Sequence, residues 1–178
     1  MFLELIATIA SGFAAAGVVL ILNKAMRGRL PRWFMPAAAG LAMFSYVVWS
    51  EYSWLPRMTE SFPDGVEVVS VNYETSFYRP WTYLSPLANR LVAVDTRMNR
   101  RNEALPDLVL TRLVLRARWE PGADVPVIFD CAGSRRAALT DAVAFAADGA
   151  PVGADWVTLP PDDPALARAC AEGGERGV

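Results

Sequence analysis

Residues 5–22 are eighteen consecutive positions without a charge, and only Thr8 and Ser11 among them are polar. No polar stripe recurs at helical spacing, so a helix built from this run has no face suited to water. With Phe2 and Leu3 added it reaches about 30 Å, the thickness of a bilayer's hydrocarbon core. A second uncharged run of eighteen residues covers 33–50. Its Pro36 falls in the first turn, where a missing N–H costs little. Trp33 and Phe34 open the run, and Trp49, Tyr52 and Trp54 close it. That is the aromatic spacing of two membrane–water interfaces. Small residues recur four apart, Ser11 with Ala15, Gly12 with Ala16 and Ala38 with Ala42. Such pairs let helix backbones approach closely, either for packing the two helices together or for docking another membrane protein. The expectation is an N-terminal two-helix transmembrane hairpin over 1–54. The alternative is a pair of buried helices in a soluble domain.

All early positive charge sits in the link 23–32, as Lys24, Arg27, Arg29 and Arg32, and Glu4 is the only acid before position 51. The positive-inside rule puts this loop in the cytoplasm and both termini on the other side. In a bacterial inner membrane that side is the periplasm. Sixteen of the 17 basic residues are arginine, which fits a GC-rich bacterial genome. A cleaved signal peptide is the poorer reading, because the first residues carry Glu4 and no lysine or arginine, and the basic link follows the run. Glu4 lies near the outer interface, where its carboxylate reaches water, so no proton relay is assigned to it.

Residues 51–178 differ in kind, with 13 basic and 18 acidic residues and a net charge of −5. A connector over 55–65 is broken by Pro56 and Pro63 and ends in the turn pair Asp64-Gly65. Beyond it the pattern predicts an α+β domain over 66–178, mainly antiparallel sheet with one C-terminal helix. Strands are expected at 66–73, 90–96, 109–119, 125–131, 137–145 and 155–159. The segment 109–119 is the clearest of them. Val109, Thr111, Leu113, Leu115, Ala117 and Trp119 alternate with Arg112, Val114, Arg116 and Arg118, the pattern of a strand with one buried face and one wet, basic face. Asp163 is placed to cap a helix over 165–171, with Pro164 at its first position and Gly173-Gly174 as its stop.

The two cysteines are Cys131 and Cys170. In a periplasmic domain an even count favours a disulfide, whereas in the cytoplasm the same residues would be buried thiols. Two thiols without close spacing or histidine make a poor metal site. A bond between them would tie the terminal helix to the sheet. The stretch 91–170 resembles the small β-domain of the surface-adhesin E-like family. The likeness lies in the long alternating strand, Phe129-Asp130-Cys131 followed by Arg135-Arg136, the strand carrying Trp156, and a Pro-rich turn into a short helix ending at Cys170. It implies an antiparallel sheet joined to a terminal helix by two such cysteines. The two-helix head is outside the resemblance, and adhesin activity is not carried over.

The chain has no histidine, which excludes Ser-His-Asp chemistry, histidine-ligated haem and histidine-containing zinc sites. Ser134 lies in no nucleophile elbow. The acids Asp130, Asp141, Asp155, Asp162 and Asp163 lack EF-hand spacing and read as turn and cap residues. No phosphate loop or haem-attachment motif occurs. The expectation is therefore a non-catalytic chain with no cofactor and no metal.

Binding features are richer. Arg97, Arg100 and Arg101 sit in a polar segment near Arg112, Arg116 and Arg118. They serve either cross-strand pairing with acids such as Glu67 and Asp95, or recognition of an acidic partner or lipid headgroups. Residues 77–83 pack Phe77, Tyr78, Trp81 and Tyr83 around Arg79, either as core, at the membrane surface or as interface anchors. Overall acidity argues against nucleic acid. The expected partners are the lipid bilayer and an integral-membrane complex. The expected role is an accessory or assembly subunit of a respiratory or photosynthetic complex, and the alternative is a free-standing periplasmic ligand-sensing or adhesin-like binding module.

Overall fold

The first apolar run becomes helix α1, Phe2–Ala25, in the computed structural model, which describes residues 2–171. The second becomes α2, Phe34–Tyr52. Three contacts give the register between them. The Ser50 hydroxyl donates to the Glu4 carboxylate at 3.2 Å, Gly12 lies against Met43, and Val19 and Met35 line one small cavity near the loop. The partners run in opposite chain directions, so the pair is antiparallel. Gly12 makes room for the Met43 side chain, since a Cβ there would stand 2.1 Å from the Met43 methyl and push it aside. Asn23 closes the loop by accepting from the Leu30 N–H at 3.1 Å. Arg57 donates to the carbonyls of Ser53 and Ser50 at the C-terminus of α2, satisfying groups that a helix end leaves open.

Among the described residues one helix, α1, is long and apolar enough by itself to cross a membrane. Of the two expected spans, α1 meets that measure. α2 carries Pro36, Ser45, Tyr46, Ser50 and Glu51, which lower its hydropathy. The expected connector differs, because Trp54–Glu60 forms a short helix, α3. Pro56 is its third residue, in the first turn, where the backbone N–H has no helical acceptor to lose.

The chain divides into two compact units, Met1–Arg57 and Met58–Val178. The second is a curled antiparallel sheet. Its strands are β1 (Val66–Glu74), β2 (Leu87–Asn102), β3 (Leu105–Ala117), β4 (Ala123–Asp130), β5 (Arg135–Ala138), β6 (Ala144–Phe145), β7 (Pro151–Val152) and β8 (Val157–Thr158). The first five run as a meander and β8 returns beside β5, while β6 and β7 pair separately. The single strand expected at 137–145 is thus two pieces. The Val143 N–H bonds to the Thr140 carbonyl, a turn that β5 cannot cross.

Helix α4, Pro164–Cys170, starts as expected, with the Asp163 carboxylate accepting from the Ala165 and Leu166 N–H groups. Its expected stop at Gly173-Gly174 lies outside the described residues. α4 packs Ala165, Leu166 and Ala169 on Val94, Leu113, Val127 and Phe129 to form the core. Asn99 and Arg101 donate to the carbonyls of Ala169 and Cys170. Cys131 and Cys170 form a disulfide with Cα atoms 5.9 Å apart, which ties the end of β4 to the end of α4. Such bonds persist in oxidising compartments.

β2 runs well past its expected end. Its register with β3 jumps from Asp95 opposite Arg112 to Arg100 opposite Leu110, so 96–99 bulge. The bulge is anchored by Thr96, whose hydroxyl donates to the Gly65 carbonyl, and by Thr111, whose hydroxyl donates to the Asp95 carbonyl. The face of β3 expected to be wet is only partly so. Val114 is buried there, as are Leu91 and Ala93 on β2.

Candidate interaction surface

Residues 77–84 expose more apolar surface than any sequence pattern required. Phe77 is 86% exposed, Leu84 92%, and Tyr78 and Tyr83 63% each. The exposure is not fraying. Thr82 is buried beneath the loop; its hydroxyl accepts from the Ser76 N–H at 2.9 Å and donates to the Arg79 carbonyl at 2.8 Å. Ser76 and Arg79 form a β-bridge, and Pro80–Tyr83 make a 3-10 turn with proline at its start. One small polar side chain thus fixes the backbone while the aromatics point away. Phe77 and Tyr78 stack edge to face at 5.7 Å, and the Arg79 guanidinium lies over Tyr78 at 5.2 Å. Trp81, one of the four aromatics marked in the sequence, is half-buried. Leu84 was not singled out, and nothing in periodicity marks it, because a 3-10 turn has no repeating face.

The arginines behave differently. Arg97 grips the buried Asp95 with two bonds, 2.8 and 2.9 Å. That hydrogen bonding holds the Asp95 carboxyl below its ordinary value against the opposing effect of burial, with the Arg112 charge adding to the pull. The same pair raises the Arg97 pKa. Arg101 caps α4, as described. Arg116 donates to Asp124 at 2.8 Å and to the carbonyls of Leu115 and Ala123. Arg118 lies over the Trp119 ring at 4.7 Å. Arg100 is exposed and, with Arg101, borders a cavity of about 230 Å³ floored by Leu108, Leu110 and Ile128.

Two further arginines follow Cys131. Burial acts to raise the Asp130 carboxyl, but the Gly133 N–H and the Arg135 guanidinium outweigh it, and the pKa falls below the ordinary value. Arg135 bonds Asp130 at 2.7 Å and stacks on Trp156 at 4.7 Å. Asp130 and Asp163 thus serve a turn and a helix cap. Among the described residues no group of three or more potential metal-ligating side chains forms.

In the first unit, Gly12 faces Met43 of α2, and Ala16, Ala38 and Ala42 are half-buried. Trp33 and Trp49 are exposed, whereas Trp54 is buried. Phe13, Leu41 and Phe44 stand more than half exposed on the outer sides of the helices. No family model, curated protein or solved structure matches this chain.

Proposed function

We propose that this chain is a non-catalytic bacterial inner-membrane protein that serves as an accessory or assembly subunit of a larger respiratory or photosynthetic membrane complex. In this reading α1 and α2 both cross the bilayer, the basic loop 23–32 is cytoplasmic, and both termini and the sheet domain lie in the periplasm. The observation that carries it is the exposed, pre-set aromatic loop at Phe77, Tyr78, Tyr83 and Leu84. Rigid exposed aromatics beside an arginine are the usual anchors of a protein interface, because ordering them on binding costs little entropy. The disulfide supports an oxidising compartment. The resemblance to the surface-adhesin E-like family enters only as a sheet-and-helix frame.

The contact between Gly12 and Met43 refines the expected partner surface. In this reading Gly12 serves the hairpin itself, and the exposed Phe13 and Leu41 face lipid or partner. The test is gentle detergent extraction followed by mass spectrometry of co-purifying proteins. Wild type should bring down an integral-membrane partner. Phe77→Ser with Leu84→Ser should weaken that association by about 2 kcal/mol or more, roughly thirtyfold, without unfolding the domain. A reporter active only in the periplasm should work after Ser53 and fail at Gly28. A bare monomer in mild detergent would overturn the subunit reading in favour of the free-standing binding module.

A further inference from the structure

α4 has seven residues, about 10 Å of helix, and covers only part of the sheet face on which it packs. The apolar stripe continues past it through Val92, Leu115 and Val125, into a cavity of about 500 Å³. Val157, Ala142 and Gly153 close the far side. Gly153 has φ +78°, and a Cβ there would come within 2.9 Å of the Ala142 carbonyl oxygen, so this wall depends on glycine. The cavity opens to solvent on that side, and its size lies in the range of small-molecule sites.

Arg136 borders the same cavity from β5. Its neighbour Arg135 is bonded to Asp130 and stacked on Trp156. Arg136 is half-buried, yet among the described residues its guanidinium has no hydrogen bond, ion pair or ring contact. Its donors are therefore open to a ligand, and a planar five-donor fork is matched by the two oxygens of a carboxylate. Asp155 also lies on the lining, with no ion pair to Arg136 among the described residues. Its negative charge weighs more against a doubly charged head such as a phosphate monoester than against a singly charged carboxylate.

We propose that this cavity binds a long-chain carboxylate, a fatty acid, with its alkyl chain along Val92, Leu115 and Val125 and its carboxylate on Arg136. The inference is independent of the accessory-subunit reading, since it needs neither the aromatic loop nor a protein partner. The probe is oleate labelled with carbon-13 at the carboxyl, added to the full-length protein in phosphatidylcholine nanodiscs and followed by NMR. Wild type should show one saturable bound resonance per chain, distinct from bilayer oleate and titrating at lower pH than the bilayer signal. Arg136→Gln should weaken binding roughly tenfold to a hundredfold. Ala138→Phe, which fills the cavity, should abolish the resonance while the thermal melt stays that of a folded domain.

Unchanged binding in Arg136→Gln would overturn the assignment of the head group. Unchanged binding in Ala138→Phe, or no saturable resonance in wild type, would overturn the site. Displacement of oleate by lysophosphatidylglycerol at a lower concentration than by unlabelled oleate would overturn the choice of a carboxylate over a phosphodiester lipid.

Discussion

The aromatic loop 77–84 and the arginine region 97–118 look alike in sequence, since each concentrates residues typical of binding surfaces, yet the structure uses them in opposite ways. The loop keeps its large side chains outside and invests one buried threonine in holding the backbone. The arginines turn back on the domain. Arg97 holds Asp95, Arg101 caps α4, and Arg116 bonds Asp124. The difference is chemical. A guanidinium has five donors and finds acceptors in any folded domain that has carbonyls and carboxylates nearby. An aromatic ring on a short loop must pack on something large, and Phe77 and Tyr78 have mainly each other. Density of a residue type therefore says little about availability until the internal partners are known.

The sharpest break in this comparison comes at the disulfide. Cys170→Ser should cost about 2–5 kcal/mol in chemical denaturation. Because Arg101 and Asn99 hold the last carbonyls of α4, amide exchange should accelerate along α4 and the 96–102 segment while the 77–84 loop keeps its wild-type protection. Equal acceleration in both regions would show that the loop draws its order from the same frame. Intact protein should also resist maleimide until it is both reduced and unfolded.

A smaller effect isolates the loop. Thr82→Val keeps the shape but leaves the part-buried Ser76 N–H without its acceptor, a loss of about 1 kcal/mol. Ser76 and Arg79 amides should lose protection, and partner binding should fall even though every exposed ring remains. Retention of full binding would mean that the rings act without the preset backbone.

Asp95→Asn is expected to cost least, about 1 kcal/mol at neutral pH, because the Arg97 end is half exposed and screened by solvent. Asp95 and Asp130 both have lowered pKa values in the fold. Their stabilisation is thus complete above the unfolded carboxylate value of about 3.9 and is lost as pH falls through the lowered values. The stability gap between wild type and Asp95→Asn should close on acidification through that window. A gap that does not narrow at all as the pH falls below about 3.9 would place the effect in packing rather than in charge.

Much of the frame was legible before any coordinates. Alternation over 109–119 marked β3 because a strand with a buried face must place apolar residues every second position. Asp163-Pro164 marked the start of α4 because a carboxylate there meets free N–H groups and proline has none to lose. The short pieces were less legible. β6 and β7 have two residues each, too few for any periodicity, and their place is set by their pairing, whereas β8 falls inside the strand expected at 155–159. α3 was hidden by Pro56, which signals a break inside a helix but not in its first turn.

The chain's own residue order decided that α1 is a long apolar helix, that a sheet with a terminal helix follows, and that two cysteines stand at the ends of the elements they join. These are local matters of hydrophobic run length, alternation and capping chemistry, each read within a single turn or strand. The tertiary structure decided which polar groups are spent and which stay free. Arg101 meets Cys170 across 69 residues, Arg168 pairs with Glu67 across 101, and Arg136, next to the fully engaged Arg135, borders a cavity lined from β2, β3, β4, β5 and β8. No local pattern encodes such pairings, because a hydrogen-bond partner is chosen by distance in space, and that distance exists only after the sheet has curled and α4 has docked.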